Sequence, residues 1–119
     1  SLNGMVWSVC IATFCISVST LRGDGLEQDL SRDYQTRVKD ILKNYCYECH
    51  SGETTEADID FEAMTTLADV RKVTSVWQKV LHVLNTHQMP PKDSPQLMDG
   101  DQNALESWLS KFLEHEALA

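Results

Sequence analysis

The chain has 119 residues, with 10 Lys or Arg against 18 Asp or Glu and a formal net charge of −8. A length of this order is one domain. The acidity excludes a nucleic-acid binder, which needs a basic footprint. It permits docking to a basic protein partner, although acidity of this size is more often a solvated surface.

The first 21 residues carry no charge, and residues 5–21 (MVWSVCIATFCISVSTL) form a 17-residue run that is mostly apolar or small. This is the shape of the apolar part of a secretory signal, with Ser17 and Ser19 placed for cleavage. No Lys or Arg precedes the run and the chain opens on Ser1, so we expect either a missing basic segment or a true start at Met5. The alternative is a retained anchor, since about 17 residues is the lower limit for a helix spanning a bilayer. A buried core helix fits least well, because the run has no polar face. Residues 1–21 are therefore read as signal peptide or N-terminal membrane anchor, and 22–119 as the working domain. That domain is expected to be exported, either periplasmic or anchored facing the periplasm. It buries only a modest core by itself.

Ser31 is positioned to cap a helix running to about Tyr45, with Tyr34, Val38, Ile41, Leu42 and Tyr45 on one apolar face. The helix leads directly into Cys46-Tyr47-Glu48-Cys49-His50. Cys-x-x-Cys-His is the attachment signature of a c-type haem. Two thiols one turn apart can each form a thioether to a different vinyl group of one porphyrin. The histidine that follows is then carried under the ring as an axial ligand of the iron. Three rival readings exist. A redox dithiol expects a βαβ context, and no strand-like run precedes Cys46. A structural zinc site needs four ligands; Cys10 and Cys15 sit in the apolar leader, which leaves His82 or His87 to be recruited. A chance match of inert cysteines is the third. Haem outweighs these together.

Residues 51–58 are polar, contain Gly52 and read as loop. Asp60 is expected to cap a short helix with Phe61, Met64 and Leu67 on one face, and Arg71 and Lys72 at its end complement the helix dipole. Thr74 or Ser75 is the cap of the next helix, which buries Val76, Trp77, Val80, Leu81 and Leu84. Asp99 or Asp101 is the cap of the last, with Leu105, Trp108, Leu109 and Phe112 at helical spacing. No repeat, no low-complexity tract and no convincing strand stands out. The fold class read from this pattern is all-α, about four helices.

All three prolines, Pro90, Pro91 and Pro95, follow closely on Met89. A residue before proline is pushed out of helical conformation, so Met89 should sit past a helix end. Pro90 and Pro91 lock their own φ angles and stiffen the strap. That is how a soft thioether is held at a fixed distance from iron, and methionine opposite histidine is the ligation of electron-transferring cytochromes c. Methionines are more often core filler than ligands; Met64, on a helix face, and Met98, near a cap, are read that way. His87 and His82 compete with Met89 as sixth ligand, while His115 is read as solvated. Trp77 and Trp108 are read as core, though an indole N–H can reach a haem propionate. Arg71 and Lys72 can do the same, but a solvated role is the stronger reading of each.

The helix into Tyr45-Cys46-Tyr47-Glu48-Cys49-His50, the stretch Asp58-Ile59-Asp60-Phe61-Glu62, Trp77-Gln78-Lys79-Val80, Met89-Pro90-Pro91 and Leu105-Glu106-Ser107-Trp108-Leu109 come in a distinctive order. In that order, from about Val38 to Leu113, the chain resembles the planctomycete-type cytochrome c domain. The resemblance implies a mono-haem, all-α cytochrome c fold wrapped around one covalently bound haem c, with the first and last helices packed together. It implies Cys46 and Cys49 as attachment sites, His50 as proximal ligand and Met89 as distal ligand of the iron. Haem attachment outside the cytoplasm, as in c-type cytochromes generally, agrees with the leader. In this family the domain typically fronts larger multidomain proteins, so the chain is either a free-standing carrier or the front of one whose downstream domain is missing. The function expected is one-electron transfer to an unidentified redox partner, with no catalytic residue. The alternative is a haem-based gas sensor or peroxidase-like enzyme with a displaceable sixth ligand.

Overall fold

The structure is a computed structural model that describes residues 4, 9–13 and 21–119. The expectations for Met5, Ser17 and Ser19 lie outside the described residues. Among the described residues no helix is long and apolar enough to cross a membrane.

The first helical body runs without a break through α1 (Leu21–Asp33), a π-helical turn (Tyr34–Val38) and α2 (Lys39–Tyr45). The expected start at Ser31 is wrong, because Ser31 lies inside α1. Glu27, Gln28, Asp29 and Leu30 contain no breaker, and Leu30 extends the apolar face one turn further back. Leu30, Tyr34, Val38, Ile41 and Leu42 are all buried along it. Tyr34 donates its hydroxyl to the Met64 carbonyl, and Gln35 Nε2 donates to the Thr65 carbonyl at 2.7 Å. These two bonds fasten the middle loop to the first helix.

Past His50 the chain forms a two-residue antiparallel ladder, β1 (His50–Ser51) with β2 (Thr54–Thr55), where the reading above expected only loop. His50 opposes Thr55 and Ser51 opposes Thr54. The hairpin closes because Gly52 takes φ +55°, a region that glycine enters without steric cost. A 3₁₀ turn (Glu56–Asp58) follows.

The next helix, α3 (Leu67–Arg71), is not capped by Asp60. Asp60 accepts only from the Ala63 amide at 3.2 Å, which makes a turn. Thr66 is the cap: Thr66-Leu67-Ala68-Asp69 forms a capping box, with the Asp69 amide donating to Thr66 Oγ1 at 3.3 Å and Asp69 Oδ2 accepting from the Thr66 amide at 3.1 Å. Hydrogen bonds from Thr65 and Thr66 hold the Asp69 carboxyl down at about 2, against an ordinary 3.8. A depressed carboxylate contributes stability that is present above its unfolded value and lost as the pH falls through its folded value. Asp69→Asn is therefore expected to lower stability at about pH 5, with the gap to the parent protein closing as the pH falls toward about 2. Denaturant midpoints measured along that series check it.

Helices α4 (Thr74–Asn85) and α5 (Asp99–Ala117) complete the fold. Neither begins with a side-chain cap: the capping positions are Val73 and Met98. Thr74 Oγ1 instead donates to the Arg71 carbonyl at 2.9 Å. Asp101 accepts from Arg37 and from the Tyr45 hydroxyl, both at 2.9 Å. Its carboxylate is used to tie α5 to the first helical body rather than to cap its own helix. Met98 is 72% exposed and packs into nothing.

The core lies where α5 meets α1 and α4. Leu105, Trp108, Leu109 and Phe112 are buried with Leu30, Tyr34, Val38, Trp77 and Leu84. Trp108 stacks on Phe112 with ring centroids 5.3 Å apart, and its Nε1–H donates to the Leu30 carbonyl at 3.1 Å. The first and last helices are thus packed together, and the fold is all-α apart from the short ladder. At one end Arg71 pairs with Glu27 and Glu116, each at 2.7 Å, and His115 Nε2 lies 2.9 Å from Glu27 Oε2. The solvated roles read for Arg71 and His115 are corrected accordingly: both are held in an ion cluster joining α1, α3 and α5. Arg71, above all, keeps the Glu27 carboxyl below its usual range.

Candidate functional site

Helix α2 ends at Tyr45 because Cys46 leaves helical conformation, with φ −121°. The amides of Cys46 and Tyr47 still donate to the Leu42 carbonyl, at 2.8 and 3.0 Å. The Cys46 carbonyl in turn accepts from Cys49 at 3.3 Å and His50 at 3.0 Å. The five-residue motif is therefore a single turn continuing the helix, with both thiols and the imidazole set by its backbone bonds. The Phe61 amide donates to the His50 carbonyl at 2.8 Å, and the Phe61 ring meets the imidazole edge-on at 5.6 Å.

His50 Nδ1 lies 2.8 Å from the Glu56 backbone carbonyl. A carbonyl oxygen only accepts, so Nδ1 carries the proton and Nε2 is left with a lone pair. This is the partner geometry that orients a ligating histidine and makes it more basic.

Helix α4 stops at Asn85, and His87 turns the chain at φ +55°. The amides of Gln88 and Met89 donate back to the Val83 carbonyl at 2.9 and 3.3 Å. Met89 thus lies past the helix end, and the Met89–Pro90 peptide is cis. Gln96, which the sequence did not draw attention to, closes the strap. Its Nε2 donates to the carbonyls of Pro90, Pro91 and Ser94 at 3.3, 2.8 and 3.0 Å. The only sequence signal for it is a side-chain amide set just past Pro95.

A cleft of about 240 Å³ lies between these two segments. Cys46, Cys49 and His50 line one side; Met89, Pro90 and Pro91 line another. Ile59, Phe61, Val80, Val83, Leu84 and Leu105 make the walls between them. His82 and His87 are exposed and outside the lining.

Burial pushes the Cys46 thiol up to about 12. Cys49 is also raised, by desolvation first and then by the Glu56 and Glu48 carboxylates. An attacking redox thiol needs a lowered value instead. Among the described residues no three His, Cys, Asp or Glu side chains converge to hold a metal ion, which leaves the zinc reading without its ligand set.

The donor set does fit a haem. Two thiols one turn apart, an imidazole with its Nε2 free and a thioether on a braced strap border one mostly apolar cleft. Behind one wall, Trp77 packs against Phe61 at 5.3 Å, and its buried Nε1–H has no partner among the described residues. A buried donor left in that state costs about 1–3 kcal/mol, which a propionate or a water would relieve.

No curated protein and no solved structure matches the chain. The family model described as Planctomycete cytochrome C matches residues 46–93, a span that opens on the first thiol and closes just past the diproline. Cys46, Cys49, His50, Met89, Pro90 and Pro91 all fall within the matched span, and over residues 46–93 the chain is similar to that family.

Proposed function

We propose that this protein is an exported electron-transfer domain carrying one haem c, attached through Cys46 and Cys49 and ligated by His50 and Met89. The observation that carries the reading is the convergence of Cys46, Cys49, His50 and Met89 on one cleft, with His82 and His87 outside its lining. The bound haem would supply a one-electron Fe(III)/Fe(II) couple. The chain's own residues do the rest. The Glu56 carbonyl holds the His50 ring in one orientation and one tautomer. Gln96 and the prolines keep the strap stiff, so the ligand geometry changes little between oxidation states. The apolar walls keep water out and disfavour the more highly charged ferric form, and a methionine ligand raises the potential further. No nucleophile, no paired carboxylates and no substrate chemistry are needed. The uncharged leader supports export.

Met89→Ala is expected to lose the red charge-transfer band of methionine-bound ferric haem and to lower the reduction potential. A variant that keeps both would place the sixth ligand elsewhere, with His87 first to test. The second reading is a gas sensor or peroxidase-like enzyme, in which the Met89 thioether would be displaced by an exogenous ligand. Fast, tight CO binding to the ferrous protein at neutral pH would support that reading over stable ligation by Met89.

A further inference from the structure

Four cationic side chains have carboxylate partners. Arg37 is held by Asp101, Arg71 by Glu27 and Glu116, and Arg32 and Lys72 by neighbouring aspartates. Lys79 has no ion-pair partner among the described residues, and it is the cation that lines the cleft. It projects from the middle of α4, which also supplies Val80, Val83 and Leu84 to the same wall. Besides Cys46, Cys49 and His50, the other ionisable groups on the lining are Tyr45 from α2, Glu48 from the haem motif and Glu56 from the 3₁₀ turn. The Tyr45 hydroxyl is committed to Asp101 at 2.9 Å. The Met89–Pro95 strap and α5 add no charge to the lining.

A haem attached at Cys46 and Cys49 brings two propionate carboxylates on the edge of the ring away from the thioethers. Glu48 and Glu56 belong to the thiol and imidazole side, where a second anion would be repelled. Lys79 is the one lining group that attracts it. An ammonium and a carboxylate at contact form a charge-assisted hydrogen bond, about twice as strong as a neutral one.

We infer that Lys79 is the propionate-binding residue of this domain: it orients the haem edge toward α4 and holds the reduction potential up by placing a positive charge beside it. The inference rests on the haem reading above. Lys79 is a positioning residue and takes no part in ligating the iron.

The test compares the haem-loaded full chain with Lys79→Gln, Lys79→Arg and, as a control, Lys92→Gln. Lys92 is an exposed lysine on the strap that does not line the cleft. Haem content is read by pyridine haemochrome and the potential by redox titration. Lys79→Gln is expected to keep its haem and to fall in potential several times as far as Lys92→Gln, with Lys79→Arg restoring most of the difference. A fall no larger than that of the control overturns the inference while leaving the haem reading intact. If Lys79→Gln takes up no haem, full loading and a parent-like potential in Lys79→Arg still support it, and an empty Lys79→Arg overturns it. A parent protein without haem sinks both readings together.

Discussion

Replacing Cys46 and Cys49 together by alanine is expected to abolish covalent haem attachment. Protein produced with a cytochrome c maturation system should then lose all haem that survives extraction under denaturing conditions, and the pyridine haemochrome signal should fall to background. Both thiols sit on one turn, whose Cys46 carbonyl accepts from the amides of Cys49 and His50. Among the described residues the remaining cysteine is Cys10, exposed in the leader. The double variant should also be markedly less stable, since the apolar area that the haem would cover is left facing water. The cleft walls it would expose include Ile59, Val80 and Val83. Retention of extraction-resistant haem in the double variant would mean that attachment does not run through these thiols.

The second large effect is on the core. Trp108→Ala is expected to cost about 3–5 kcal/mol, the range seen when a large buried aromatic is truncated. Trp108 is 4% exposed and touches three further rings: Phe112 at 5.3 Å, Tyr34 at 5.5 Å and Trp77 at 6.4 Å. Its indole N–H also bonds the Leu30 carbonyl, so one side chain joins α1, α4 and α5. Trp108→Phe keeps much of the packing and loses mainly that hydrogen bond, about 1 kcal/mol. Denaturant midpoints on the haem-loaded protein separate the two. Domains of this size are stable by only about 5–15 kcal/mol, so the alanine variant loses a large fraction of the total. A loss below about 1 kcal/mol would contradict the packing described.

What was legible in the sequence had a period or a fixed spacing behind it. The apolar faces through Tyr34–Leu42, Trp77–Leu84 and Leu105–Phe112 recur at helical intervals, and all three form helices that meet in the core. The motif at Cys46–His50 and the diproline after Met89 are local signatures, and the two segments line one cleft. Helix starts were less legible. Ser31, Asp60, Thr74 and Asp99 each had the side chain of a cap, but a cap exists only where the preceding backbone leaves the helix. Leu30 pulled the first helix past Ser31. Thr66 with Asp69 offered a reciprocal capping box further along than Asp60. Asp101 found long-range partners in Arg37 and Tyr45 that no local pattern announces. The same is true of Arg71 and His115, which read as solvated but meet Glu27 and Glu116 across sequence separations that only folding brings together. Gln96 was missed because bracing a strap through carbonyl groups needs nothing more distinctive than a side-chain amide at the right reach.

The central claim is that Cys46, Cys49, His50 and Met89 converge to hold one haem c. The most direct test is the pyridine haemochrome spectrum of the purified full chain, produced with a cytochrome c maturation system and set against protein concentration. The account predicts a c-type spectrum with one haem per chain, resistant to extraction under denaturing conditions. A colourless protein, with no haemochrome signal from an otherwise folded chain, would contradict it.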